Sequence, residues 1–335
     1  MSRQALRYGE NPQQQAWIAS DEGSQDPLAI SKFTDPHGQP AFTGARDMSW
    51  SSIRDLDAGI EAITRIAAAF DVNVGTVPKI AVLVTHSCPF SAAVGSSDQV
   101  INRAIQSNFR AAFGSFLVTN VAVSEPVAYK VRQWMGPERP FEGIAAPSID
   151  PDVIPYFVRK KGKSHLLANP ALASLHRDNV QLEPVSRTVR GATLSQEPNP
   201  FVPKFPQEWD DQLKRDMCLA WGICAASASN CITIANDGLL VANASGQPER
   251  AAASDLAIIQ SRAAKRTNML KGAAVVSDSY FSFADALDQL ARRKVKAIFA
   301  TSGSLHDEEV KAHVAQFDVI FHTVPDTDGR IFFGH

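Results

Sequence analysis

Alternating strand-like and helix-like segments predict an α/β fold, and three observations carry that reading. Short apolar runs rich in β-branched residues, such as KIAVLVT at Lys79–Thr85, read as strands buried on both faces. Stretches with apolar residues at helical spacing, such as LDAGIEAITRIAAAF at 56–70, lie among them. Small polar residues follow the strand ends, where sheets of this class place ligands.

In chain order, the strand Lys79–Thr85 runs into His86-Ser87-Cys88-Pro89. From Phe90 onward, FSAAVG is expected to start a helix with proline near its first turn. Further strands are expected to end in Phe116-Leu117-Val118-Thr119 and to lie around Gly143–Ala146. The stretch 169–207 is rich in Pro, Asn and Ser, and EPNPFVPKFPQ puts three prolines within 200–206, which excludes one regular helix. The domain boundary is placed there, giving a first domain at 1–180, a linker at 181–208 and a second domain at 209–335. A helix at 209–226 follows, then apolar runs at 231–235 and 239–242 around Asn236-Asp237-Gly238, a strong hairpin turn. AAVVS at 273–277, 296–301 and 319–323 read as the last strands, with helices at 283–293 and from His306. A strand, THSCPF and a helix in the first half parallel a strand, SDSYFSF and a helix in the second. That suggests a pair of similar α/β layers.

The 335 residues are 44% apolar and 20% charged, enough to build buried cores and too apolar for a disordered chain. Thirty-three basic and 35 acidic residues give a net charge of −2 with no block of one sign, which argues against nucleic acid or an anionic membrane surface as partner. No apolar run is long enough to span a membrane, and MSRQALRYGENPQQQ has no signal-peptide core, so a cytoplasmic protein is expected. The four cysteines (Cys88, Cys218, Cys224, Cys231) are too sparse for a disulfide framework. They include no C-x-x-C, so no metal is expected of the kind zinc deaminases hold. A nucleophile elbow and a P-loop are also absent.

Four features hold chemistry in reserve. Arg7 beside Tyr8 can clamp an anion through paired guanidinium donors, or be part of a solvated tail. His86, at a strand end, can exchange protons near neutral pH, or be an ordinary histidine. The GQPER loop at 246–250 can present Arg250 to an anion, or Arg250 can be a surface cation. Ser302-Gly303-Ser304 can offer backbone N–H groups to an anion, or be a simple turn.

The order of motifs along the chain narrows these choices. LRYGENPQQ at 6–14, VTHSCPFSAAVG at 84–95, AAFGSF at 111–116 and FEGIAAP at 141–147 are followed by RTVRGATLSQ at 187–196 and SNCITIANDG at 229–238. SGQPERAAASDLA at 245–257, SDSYFSFADALD at 277–288 and SGSLHDEEV at 302–310 complete the series, with His335 at the end. Together they resemble, nearly end to end, the AICAR transformylase part of the bifunctional AICAR transformylase/IMP cyclohydrolase family. The resemblance implies a stand-alone, diverged unit without the cyclohydrolase part. It also implies two tandem cytidine-deaminase-like α/β/α subdomains without metal, the acceptor site in the first and the folate site in the second, working as a homodimer.

The family moves a formyl group from 10-formyltetrahydrofolate to the amine of an aminoimidazole carboxamide ribonucleotide. That amine is a poor nucleophile, because its lone pair is conjugated with the ring, so a proton acceptor and oxyanion donors are needed. The family's Lys-His pair is here Thr85 and His86, and threonine supplies no cation. By resemblance, Arg7, Tyr8, Gly114 and Glu142 contact the acceptor, with Glu142 in place of an aspartate. Asn230 orients the reacting groups, and Arg250 is the arginine of the G-Q-x-x-R loop. Tyr280 stands for a phenylalanine on the acceptor side. Ala251, Ser282 (for a proline), Phe283, Asp285 and Ser304 fall on the folate side, with Asp285 pairing the donor-rich pterin edge. Arg330 lies one position off the family's phosphate-binding arginine when counted from His335. Formylation of an AICAR-like acceptor is the first reading. Formylation of another small amine, for which the lysine is dispensable, is the second, and an inactive folate- or nucleotide-binding relative the third.

Overall fold

The computed structural model describes residues 3–42, 48–136, 141–159, 162–180 and 183–334. The N-terminal segment pairs two short strands, β1 (Gln4–Ala5) and β2 (Trp17–Ile18). Helix α1 (Trp50–Val74) begins at Ser49, whose side chain accepts from the Ser52 N–H, and ends at Gly75, whose φ of 76° suits glycine. It buries most of its central turns.

Strand β3 (Lys79–Thr85) then turns back directly into β4 (Cys88–Gly95). This corrects the expected helix from Phe90: FSAAVG is strand. His86 and Ser87 both take positive φ, 53° and 58°, the geometry of a two-residue hairpin turn, although neither is the usual Asn or Gly. Ala92, Ala93 and Val94 are buried, and Pro89 sits beside a bulge at Leu83/Val84, where a missing N–H disturbs the ladder least. Burial on both faces, invisible in a local window, decides for strand.

After α2 (Gln99–Ser107) and α3 (Phe109–Ala112) come β5 (Phe116–Thr119), α4 (Glu125–Met135) and β6 (Gly143–Ala146). A small pair, β7 (Val158–Arg159) and β8 (Gly162–Lys163), precedes β9 (His165–Ala168). Strands β10 (Val185–Val189) and β11 (Ala192–Gln196) form a hairpin exposed along its whole length. The proline-rich stretch then lies against the core: Phe205 stacks on Trp209 at 5.5 Å, and Arg65 donates to the Asn199 carbonyl at 2.8 Å.

The second half contains α5 (Asp211–Ala225), β12 (Ile232–Asn236), β13 (Leu239–Ala244) and α6 (Arg250–Ala263). Then follow β14 (Ala274–Ser277), α7 (Asp285–Ala291), β15 (Ala297–Ser302), α8 (Asp307–Val314), β16 (Ile320–Pro325) and α9 (Asp326–Gly329).

Ten strands form one sheet in the order β16-β15-β14-β12-β13-β4-β3-β5-β6-β9. Each half supplies five, in the same sequence of pairings: a hairpin, an antiparallel neighbour, then two parallel strands. Similar α/β halves are therefore present, but the His86-Ser87 turn matches the Asp237-Gly238 turn rather than the SDSYFSF segment. Helices α1 and α5 cover one face, sharing a core with Trp221, Ile66 and Phe299. On the other face α2 and α4 cover the first half, and α6, α7 and α8 the second. The result is a three-layer α/β/α molecule.

The pairing directions gather particular ends at one edge of the sheet. The β3–β4 turn, the starts of β5, β6, β9 and β12, and the ends of β13, β14, β15 and β16 all lie there.

Candidate functional site

His86 tops the β3–β4 turn at that edge, exposed, next to Thr85. The turn is pinned from below: the Ser87 N–H donates to Asp55 Oδ1 at 2.6 Å. Burial pushes the Asp55 carboxyl above its ordinary range, while the Ser87 and His86 backbone N–H groups and the nearby imidazole pull it back down. Asp55 comes from the second turn of α1, so the helix that carries the core also sets the imidazole's place.

Glu142, just before β6, organises the neighbouring ground. Its Oε1 accepts from the Ser52 hydroxyl at 3.2 Å and lies 4.0 Å from an Arg7 nitrogen and 3.7 Å from His165 Nε2. Arg7 also bonds the Tyr8 hydroxyl at 2.9 Å and lies over that ring at 4.7 Å. The N-terminal segment is held by backbone bonds, Arg7 N–H to the Met48 carbonyl and Trp50 N–H to the Tyr8 carbonyl. Gly114 has φ of 74° and open space where a side chain would project. It sits at the start of β5, on the same edge.

The second-half cluster centres on Asn230 and Arg250. Arg250 donates to Asn230 Oδ1 at 2.7 Å and to the Ser277 hydroxyl at 2.8 Å, and it pairs with the buried Asp278. Ser229 donates to the same carboxylate. Asn230 Nδ2 donates to the Gln247 and Pro248 carbonyls at 2.9 and 3.2 Å. Asn230 is thus clamped through both ends of its amide, and Arg250, only 13% exposed, spends its charge within the protein rather than on solvent anions. Ala251 follows it in the first turn of α6. The two clusters are tied together by Cys88 Sγ to Ser245 Oγ at 3.5 Å and by Asn243 Nδ2 donating to the Pro89 carbonyl at 2.7 Å.

The residues matched to folate form a third group farther along the edge. Phe283 is 62% exposed, and its ring lies 5.3 Å from that of His306. Ser282 and Asp285 are exposed, and Asp285 Oδ1 accepts from the Ala286 N–H at 2.7 Å. The Gly303 and Ser304 N–H groups are taken by Asp307, at 2.6 and 3.1 Å, so they serve the start of α8 instead of an anion. Tyr280 is half-buried and Arg330 near enough to feel it. Arg330 pairs with Asp326, which also accepts from Ser279 at 2.9 Å and Thr301 at 2.5 Å. His335 lies outside the described residues.

Sequence reasoning missed Ser52, Asp55, His165, Asp278, His306 and Asp326. Asp55 carries a usable signal, a carboxylate amid the apolar positions of a buried helix. Asp278 sits in the quoted SDSYFSF block, where Tyr280 drew the attention. His165 reaches Glu142 only because β9 pairs with β6, a contact no local pattern shows. Among the described residues no group of His, Cys, Asp and Glu side chains is arranged to hold a metal, and all four cysteines are free thiols. No helix among them is long and apolar enough to cross a membrane.

Residues 1–260 match the family model described as AICARFT/IMPCHase bienzyme. The bifunctional purine biosynthesis protein PurH of Myxococcus xanthus is 29% identical over 321 residues, covering 92% of this chain and 56% of the relative. Its namesake in Thermotoga maritima is 28% identical, covering 98% and 62%, and that of Mycobacterium leprae 31%, covering 92% and 54%. The chain therefore spans little more than half the length of these relatives. With the family model covering most of its residues, the chain belongs to the AICARFT/IMPCHase bienzyme family.

Proposed function

We propose that this chain transfers the formyl group of 10-formyltetrahydrofolate to the amine of an AICAR-like acceptor. The amine nitrogen attacks the formyl carbon, the bond from that carbon to the folate nitrogen breaks, and the amine's proton passes by way of His86 to the departing nitrogen. The observation that carries the reading is the turn geometry: an exposed imidazole on a turn whose backbone Asp55 pins, at the same sheet edge as an Asn230 amide held rigid by Arg250. An amide held this firmly beside the imidazole is suited to orienting the reacting groups. Arg7 and Tyr8 suit an anionic, ribonucleotide-like acceptor, and the exposed Phe283 face with Asp285 suits a pterin. The reaction uses no metal and belongs to the cytoplasm in this reading.

The β10–β11 hairpin supports a homodimer. Val185, Val189 and Leu194 are exposed on a two-stranded ribbon, a structure that is marginal in water without a partner. A second copy of the chain is the occupant proposed.

Thr85 favours a second reading, in which the acceptor is a more basic amine that needs no ammonium beside the imidazole. Mass spectrometry of reactions with 10-formyltetrahydrofolate and a panel of amines including AICAR decides between them. The first reading expects formylated AICAR, with turnover kept or raised in Thr85→Lys and lowered by about 100-fold or more in His86→Ala. Formylation of another amine alone supports the second, and consumption of donor with none of the panel counts against both.

A further inference from the structure

The two halves correspond position by position, so the edge opposite the site described above has its own set of counterparts. Each hairpin carries its bulge at the same place, Leu83/Val84 in one and Ile234/Ala235 in the other. The pair Ala81↔Thr119 answers to Ile232↔Ser277. Carried along the strands, this register puts Lys79 where the other half has Asn230, Asn120 where it has Asp278, and the helix start Gln99 where it has Arg250. The buried carboxylates agree as well. Asp55 and Asp216 are each the sixth residue of their helix, and Asp216 accepts from the Asp237 and Gly238 N–H groups at 3.0 and 2.5 Å, as Asp55 accepts from Ser87.

At that opposite edge lies a cavity of about 980 Å³, within the size range of small-molecule sites. Lys79, Asn120, Ser96, Lys214, Arg215 and the Asp237 turn contribute to its wall. Its charges differ from those of its counterpart in one decisive respect. The Arg250–Asp278 ion pair of the first site is matched here by the neutral Gln99 and Asn120, and the cavity's cations come instead from Lys79, Arg103, Lys214 and Arg215. The lining cations Lys79, Arg103, Lys214 and Arg215 outnumber the lining carboxylates Asp211 and Asp237; Asp237 is engaged by Arg103, and the buried Asp216 beside Arg215 is taken up by the Asp237 and Gly238 N–H groups. Among the described residues Lys79, Lys214 and Arg215 enter no ion pair. Lys214 donates to the Gln207 carbonyl at 2.7 Å, and Arg215 Nε is buried without a hydrogen-bond partner. A buried, unsatisfied guanidinium donor is costly unless a ligand completes it.

We infer that this cavity is a second ligand site, the pseudo-symmetric counterpart of the first, and that it takes a small phosphorylated anion. Guanidinium and ammonium donors converging from the start of β3 and the first turns of α5 suit phosphate oxygens, with the Ser96 hydroxyl beside them. The inference does not depend on the proposed formyl transfer.

Calorimetry with inorganic pyrophosphate at constant ionic strength tests it on the intact chain. Wild type should bind saturably, Lys214→Gln and Arg215→Gln should weaken binding tenfold or more, and Lys311→Gln, an exposed cation of α8 that pairs with Glu308 outside both sites, should leave it unchanged. Lys79→Gln replaces an exposed side chain, so it keeps the test decisive if Arg215→Gln fails to fold. Absence of saturable binding to wild type overturns the inference, as does binding that only Lys311→Gln removes or that none of the cavity substitutions weakens.

Discussion

Asp326 shows how much a single side chain can gather. It stands at the end of β16 and accepts from Ser279 and Thr301 while pairing with Arg330. Burial pushes its carboxyl up, but the Arg330, Thr301 and Ser279 donors outweigh burial and hold it below its ordinary value of 3.8. A carboxyl depressed in the folded state adds stability that is present above its unfolded pKa and is lost as the pH falls through the folded one. Asp326→Ala should therefore cost about 2 kcal/mol at pH 7, the range for hydrogen bonds to a charged group. Denaturant melts at a series of pH values should show the gap from wild type closing below 3.8; a gap independent of pH would contradict this account. The same kind of accounting explains Arg250. Its loop reads as a candidate anion site, yet Asp278, distant in sequence, claims the guanidinium and converts it into a brace for Asn230.

Among the elements, α1 and α5 are the pair on which both sites depend, since Asp55 and Asp216 project from them to the two hairpin turns. They pack with backbone close to backbone. A Cβ at Gly222 of α5 would lie 2.5 Å from the Ile66 nitrogen and 2.6 Å from its Cα, main-chain atoms of α1 that cannot swing aside. Gly222→Ala should separate the helices and cost about 1–3 kcal/mol, despite alanine's better helix propensity. Thermal and urea melts check the stability. A Tm equal to or above that of wild type would show that the helices adjust freely. The β3–β4 hairpin teaches a related lesson. Asn236-Asp237-Gly238 announces its turn through residues that accept positive φ, whereas His86-Ser87 adopts the same turn without that signature. The tight backbone at His86 is sustained by Asp55 from another element, which a window of ten residues does not contain.

For the molecule as a whole, the exposed β10–β11 hairpin is the feature a single chain leaves unexplained. If its apolar side rests on a second copy, Val189→Ser combined with Leu194→Ser should shift the sedimentation coefficient from dimer toward monomer at micromolar concentration. The fold of each chain should persist by circular dichroism, because these side chains are exposed and contribute little to the core. A wild-type monomer, or a variant that stays dimeric, would remove the hairpin from the interface.

The alternation of buried strands and amphipathic helices could be read from local composition, because burial on one or two faces leaves a periodic trace in neighbouring residues. The chain order of LRYGENPQQ, THSCPF, SNCITIANDG and SGQPER likewise pointed to the right family. What that reading could not reach were relations between distant segments. The strand character of FSAAVG, the clamp on Asn230, the contact of His165 with Glu142 and the matching of the two hairpins all arise where chain segments far apart meet. Local propensity acts over a few residues, whereas burial, charge neutralisation and strand register are set by whatever the rest of the chain brings alongside.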